Sequence, residues 1–129
     1  MIDLATGRVT RISAPPLVPM DRPIDLEHLA RVTMDDRDIE REVLRLFDLQ
    51  AGSLLDRLKQ ADLPDITTLA HTLKGSALGI GANRVAAAAR GLERAAAGAD
   101  DRSVRQAMRD LREAVEEARL TISDLLRGH

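Results

Sequence analysis

A histidine, a lysine and a glycine at helical spacing are the residues of this sequence best placed to do chemistry together. His71, Lys74 and Gly75 stand in the run from Ala70 to Gly81. Residues three and four apart share one face of a helix, because about 3.6 residues complete a turn. A neutral imidazole is a nucleophile near physiological pH. A lysine ammonium one turn away can reach any anion attached to that ring.

The surrounding pattern predicts that this face is turned toward solvent. The apolar residues of the segment gather on the opposite side of a helical wheel: Ile66, Leu69, Ala70, Leu73, Ala77 and Ile80. Thr67 and Leu78 share the outward face with His71 and are predicted to contact a partner. Glycine inside a helix costs about 0.5–1 kcal/mol relative to alanine. We interpret Gly75 as bare backbone that leaves the imidazole accessible.

Each of these residues also has a structural interpretation. An exposed histidine with a lysine three residues on is, taken alone, an ordinary helix surface. His28 and His129 are expected to be a surface or packing residue and a chain terminus. The acidic pairs, Asp35-Asp36 and Glu116-Glu117, suit helix caps and solvated faces. Glu27 and His28 are adjacent rather than at the spacing of a metal-ligand pair on a helix, and no metal site is indicated.

Five helical segments are predicted to position these residues. They are Asp25 to Val32, Asp36 to Gln60, Pro64 to Leu78 (ended by Gly79 and Gly81), Asn83 to Ala97 (ended by Gly98), and a last helix from near Asp100. Four principal helices with short connections predict an all-α fold, an antiparallel up-down-up-down four-helix bundle with a short extra N-terminal helix.

Two of these helices carry a predicted buried stripe. In the second segment it comprises Ile39, Val43, Phe47, Ala51, Leu54 and Leu58. In the last helix the apolar positions alternate in steps of four and three, as in a coiled coil: Val104, Met108, Leu111, Val115, Ala118, Ile122 and Leu125. The leucines that lie off the stripe of the second segment either widen the core face or extend a docking surface beside His71: Leu44, Leu49 and Leu55.

Composition narrows the function classes. The 129 residues carry a net charge of −2, no cysteine and one aromatic side chain, Phe47. Disulfides and thiolate zinc sites are therefore excluded, and binding of nucleic acid or a membrane is not expected. Four prolines interrupt the first 23 residues, so residues 1–23 are predicted to form a flexible arm ahead of a bundle over residues 24–127. No signal peptide or membrane span is recognisable, and a cytoplasmic location is expected.

The run His71-Thr72-Leu73-Lys74-Gly75-Ser76-Ala77, followed by Leu78-Gly79 and Gly81-Ala82, resembles the signature of the histidine-containing phosphotransfer (HPt) family of two-component phosphorelays. The resemblance covers about Ile24 to Leu126. It implies that His71 is the phosphoacceptor, that Lys74 stabilises its phosphoryl group, and that Gly75 gives a receiver domain access to the ring.

The resemblance also implies a role and partners. The protein would accept a phosphoryl group from a receiver aspartyl phosphate, or from a kinase, and pass it to another receiver aspartate. Its partners would be response-regulator receiver domains and a sensor or hybrid histidine kinase. No cofactor of its own is expected, with Mg²⁺ supplied by the receiver, and a monomer is expected.

Two other classes of function were weighed against this one. A histidine kinase is disfavoured, because no Gly-rich nucleotide-binding segment follows the bundle; the protein is therefore expected not to be an enzyme. A non-catalytic helical adaptor with the same bundle remains the alternative. The sequence leaves the identity of the donor and receiver, and the direction of phosphate flow, open.

Overall fold

The computed structural model describes residues 2–3, 7–8 and 22–128. Strands β1 (Ile2–Asp3) and β2 (Gly7–Arg8) pair antiparallel. Five helices follow: α1 (Leu26–Val32), α2 (Arg37–Leu58), α3 (Leu63–Ile80), α4 (Asn83–Gly98) and α5 (Asp101–Gly128). Most of the predicted flexible arm, residues 1–23, lies outside the described residues. No helix in the described part of the chain is long and apolar enough to cross a membrane.

The four long helices close into a bundle. Each one packs on the next in the chain, and α5 returns to pack on α2, while the short α1 packs against α3. The connections between the long helices are only a few residues long, which makes neighbouring helices antiparallel. This confirms the predicted all-α four-helix bundle with an extra N-terminal helix.

The bundle core is aliphatic, and helix periodicity predicted most of it. All six apolar residues assigned to the inner face of α3 are buried. In α5 five of the predicted positions are buried, and Met108 and Leu125 are partly buried against them. Burial of such side chains is the dominant favourable term in folding.

The predicted stripe of α2 is wrong in its first turns. Ile39 is exposed, and Leu44 is fully buried. The prediction advanced in steps of four residues from Ile39 to Ala51, which rotates the stripe by about 40° at each step. The true stripe begins at Leu44 and alternates steps of three and four, which keeps it on one side of the helix. Leu55 is partly buried against the core, whereas Leu49 is 69% exposed.

Aspartates cap four of the five helices, as predicted for those that begin near Asp36 and Asp100. The side chains of Asp25, Asp36 and Asp62 each accept a hydrogen bond from the backbone N–H three residues on, and Asp100 does the same for Ser103. A carboxylate at this position satisfies an orphan amide and complements the helix dipole.

Two helices run slightly past their predicted ends. α3 continues through Gly79 to Ile80 and is capped by Gly81, one of the two glycines predicted to end it, whereas α4 includes Gly98 and is capped by Ala99. A helix end of this type needs a capping residue in the left-handed conformation, and a glycine nearby does not by itself end the helix. Gly81 supplies it with φ of 83°, and Ala99 adopts it with φ of 56°.

Helix α1 is tied to the C-terminal end of α3. The Asp25 N–H donates to the Gly81 carbonyl at 2.9 Å, and His28 Nε2 donates to the Gly79 carbonyl at 3.0 Å. Terminal carbonyls of a helix lack intrahelical partners, so these bonds complete the end of α3. His28 is thus a packing residue, as expected.

Gly81 should be the critical glycine of this junction. A Cβ there would lie 3.0 Å from the Asp25 carbonyl oxygen, on a backbone with positive φ. Gly81→Ala should therefore lower the free energy of unfolding by about 1 kcal/mol or more. Gly79→Ala is the matched control, because a Cβ at Gly79 meets nothing within 4 Å. Urea unfolding of the two variants should show a loss for Gly81→Ala alone; equal stabilities would contradict this account of the junction.

Candidate functional site

His71 lies on the outer face of α3 with its side chain 67% exposed. The residues on the other side of the helix, among them Ala70 and Leu73, are completely buried against the bundle. The imidazole therefore projects from a helix that the core holds in place. This places His71 as the helical wheel predicted.

One carboxylate from the neighbouring helix joins His71 to Lys74. Glu93, on α4, has its Oε2 3.0 Å from His71 Nδ1 and its Oε1 3.0 Å from Lys74 Nζ. A carboxylate can only accept hydrogen bonds, so the ring donates from Nδ1. In the neutral ring this tautomer leaves the lone pair on Nε2.

Sequence reasoning missed Glu93. It stands 22 positions after His71, on another helix, and its place opposite the histidine depends on how α3 and α4 are aligned. One signal was available: Glu93 is the sole acidic residue of α4, in a helix that also carries Arg84, Arg90 and Arg94. A single carboxylate on a helix with three arginines indicates a specific partner for that carboxylate.

The charges around Glu93 hold its pKa below the usual value of 4.5. The hydrogen bond from Lys74 is the largest cause, and the His71 hydrogen bond and the attraction to both groups act in the same direction, whereas burial opposes them. Glu93 is therefore ionised at neutral pH. Because folding lowers the pKa of Glu93, the ionised carboxylate stabilises the folded protein above the ordinary carboxyl pKa. This contribution to the free energy of unfolding is lost as the pH falls through the lowered pKa.

Lys74 is less free than the sequence suggested. Its side chain is 21% exposed and that of Glu93 is 23% exposed, so the pair is largely shielded from water. An ammonium has three donors, and the bond to Glu93 uses one of them. Lys74 can therefore approach a group on the imidazole while it stays paired with Glu93.

The remaining predicted site residues surround the imidazole unevenly. Gly75 is exposed, and a Cβ built there meets nothing within 4 Å. Leu78 is exposed, three residues farther along the same helix. Thr67 is half-buried, and its hydroxyl donates to the Leu63 carbonyl within α3. The approach to His71 is thus open on the Gly75 side.

This arrangement suits reaction with a group brought from outside. The His71 ring lies on a surface rather than in a cleft. Glu93 accepts a hydrogen bond from one ring nitrogen, and the Lys74 ammonium binds the other oxygen of Glu93. In the described part of the chain, no group of three or more His, Asp and Glu side chains could hold a metal ion.

A family model described as Hpt domain matches residues 38–121, well over half of the chain. The chain belongs to the Hpt domain family. The matched range contains α3, α4 and all three residues of the His71–Glu93–Lys74 cluster. Separate searches of curated proteins and of solved structures each gave no significant match.

Membership of the Hpt domain family establishes the general function. Hpt domains carry phosphoryl groups on histidine in two-component phosphorelays, and they interact there with receiver domains and histidine kinases. They are carriers without a kinase domain. In this Hpt domain, His71 is exposed on the bundle surface, where such a partner can reach it.

The pKa of Glu93 should report the integrity of the cluster. Lys74→Met should raise this pKa toward 4.5, because the Lys74 hydrogen bond is the main cause of its lowering, and His71→Asn should raise it less. The measurement is an NMR titration of the Glu93 side-chain carbonyl. Lys59→Met is the control, because Lys59 pairs with Asp56 on another helix. A Glu93 pKa that Lys74→Met leaves unchanged would rule out the bridge.

Proposed function

We propose that His71 of this Hpt domain accepts a phosphoryl group from the aspartyl phosphate of a receiver domain and passes it to the aspartate of another receiver. The observation that carries the proposal is the bond between His71 Nδ1 and Glu93, which leaves Nε2 of an exposed ring as the nucleophilic atom. The neighbouring backbone of Gly75 keeps that atom open to a second protein.

The transfer proceeds in line at phosphorus. The lone pair of Nε2 forms the N–P bond as the bond from phosphorus to the aspartyl oxygen breaks, and the electron pair of that bond leaves with the aspartate as a carboxylate. The ring becomes cationic as it is phosphorylated. Its Nδ1–H proton stays hydrogen-bonded to Glu93, whose negative charge stabilises the cation in place.

Lys74 has a separate role in this step. Phosphoryl transfer needs positioning and charge stabilisation more than covalent help from the protein. One donor of the Lys74 ammonium is held by Glu93, and the other two are proposed to meet phosphoryl oxygens on His71. The same contacts serve the reverse step, because transfer from phosphohistidine to a receiver aspartate runs through the same transition state.

The receiver is proposed to contribute the rest of the chemistry, including Mg²⁺. This chain then acts as a carrier that supplies a nucleophile and one ammonium and has no catalytic cycle of its own. Thr67 and Leu78 are proposed contacts of the receiver, because Leu78 is exposed on α3 and Thr67 lines the groove that Lys74 and Glu93 share.

His71→Gln should abolish phosphate acceptance and leave the bundle folded, because the side chain is exposed and supports no core contact. The assay is incubation with a panel of receiver domains phosphorylated by acetyl phosphate, followed by detection of acid-labile phosphate on this chain. His28→Gln is the matched control and should still be labelled. Labelling of His71→Gln, or a collapse of its melting temperature, would contradict the proposal. A parent chain that no receiver labels would favour the non-catalytic adaptor.

Gly75 should separate stability from function. Space is open around it, so Gly75→Ala should stabilise the helix by about 0.5–1 kcal/mol. Transfer should nonetheless slow, and Gly75→Leu should slow it further because the larger side chain obstructs the receiver. Melting temperatures and receiver-to-His71 transfer rates decide the matter. Gly128→Leu is the control, since Gly128 is equally open but lies at the C-terminal end of α5. A Gly75→Leu variant that transfers as fast as the parent would show that access is not the reason for glycine.

A further inference from the structure

Helix α4 carries two exposed arginines next to the His71 site. Arg90 and Arg94 stand one turn apart, and neither has a hydrogen-bond or ion-pair partner within residues 22–128. Other arginines of the bundle are engaged: Arg41 with the Leu126 carbonyl, Arg84 with Glu117, and Arg119 with Asp48. Like charges at this spacing repel each other along a helix, so the pair does not serve the stability of α4.

Both arginines line grooves beside the His71 site. A groove between α3 and α4 is lined by Arg90, Arg94, Lys74, Glu93, Thr67 and Ala97. Arg90 also lines a second groove, with Leu78, Asn83, Ala86 and Ala87. The first groove leads along Lys74 and Glu93, and the second offers small apolar side chains beside Leu78. Arg90 is therefore the residue that the two grooves share.

The side chains that line these two grooves carry a positive net charge, although the net charge of the whole chain is −2. Glu93 is the one acidic side chain that lines either groove, and its two oxygens are bound to His71 and Lys74. Lys74 and Glu93 cancel each other's charge at longer range. The field that an approaching molecule meets beside His71 is then set by Arg90 and Arg94.

We propose that Arg90 and Arg94 form a docking edge that pairs with carboxylates on the receiver surface around its phosphorylated aspartate. This inference rests on the proposed function, because it assigns the partner that exchanges phosphate with His71. Such a partner must bring an anionic phosphoryl group to Nε2, and a cationic edge one helix away attracts and orients it. A guanidinium presents two parallel N–H groups to a carboxylate, which fixes orientation as well as charge. Charges at the rim of an interface act mainly on association and its salt dependence.

The experiment compares charge reversal at this edge with the same change elsewhere. The variant is Arg90→Glu with Arg94→Glu, and its matched control is Arg45→Glu with Arg112→Glu. The control residues are exposed, lie on α2 and α5, and line neither groove. A third variant, Arg90→Lys with Arg94→Lys, keeps the charge. The probes are purified receiver domains phosphorylated with acetyl phosphate, and the readout is transfer to His71 over a range of NaCl concentrations.

Reversal at the edge should lower kcat/KM about tenfold at low salt, with a much smaller change in the rate at saturating receiver. In the parent, kcat/KM should decrease with added salt, and reversal at the edge should remove this decrease. The control pair should stay within about twofold of the parent. The lysine pair should keep the salt dependence, because it keeps the charge, and its kcat/KM should fall between those of the parent and the glutamate pair, because it loses the paired N–H groups. Melting curves establish that each variant is folded; the corresponding glutamine pair replaces the glutamate pair if the latter does not fold.

The outcomes separate this inference from the function it rests on. A parent chain that gains no phosphate from any receiver overturns both. A parent that is labelled, with a reversed edge that keeps the same kcat/KM and salt dependence, overturns the docking edge alone. Equal losses in the control pair do the same, because they show an effect of total charge. Binding of duplex DNA by the parent that is lost on reversal would assign the edge to nucleic acid and overturn it as well.

Discussion

Burial of aliphatic side chains along α3 sets how this helix lies against α4, and the site depends on that alignment. α3 packs on α2 and on α4 and receives α1 at its C-terminal end, so its inner face is closed on several sides. The distance of 3.0 Å from Glu93 to both His71 and Lys74 holds only for one register of the two helices. A shift by one residue would turn Glu93 by about 100° around α4 and separate the three groups. Ordinary apolar packing therefore positions the His71 ring.

A carboxylate at the centre of the proposed phosphate-accepting site has opposing effects. It orients the imidazole and stabilises positive charge on the ring, yet it repels a phosphoryl group. Lys74 resolves the conflict, because it binds the second oxygen of Glu93 and makes the pair neutral. Two unit charges about 4 Å apart interact by roughly 4 kcal/mol near a protein surface, so leaving the carboxylate without its ammonium would matter to the reaction. The site keeps a local hydrogen-bond acceptor without a net negative charge.

Most of the fold was predictable from the sequence, because a helix buries residues at a regular spacing. The inner face of α3, the seam of α5 and the exposure of His71 all followed from that spacing. The stripe of α2 was misplaced at Ile39 because steps of four residues rotate away from the buried face of the helix. Gly79 was a suitable helix stop that α3 did not use. Glu93 was missed because its role lies in the contact between two helices, which the spacing within one helix does not show.

The bonds between α1 and the end of α3 bear on where this domain begins and ends as an independent folding unit. The family match covers residues 38–121. The carbonyls of Gly79 and Gly81 nevertheless accept hydrogen bonds from His28 and Asp25, which precede the matched range. At the other end of the match, Arg41 donates to the Leu126 carbonyl. A fragment cut at the family boundaries would keep His71, lose the donors that close the end of α3, and lose the end of α5 to which Arg41 donates. The autonomous unit is therefore longer than the stretch that identifies its family.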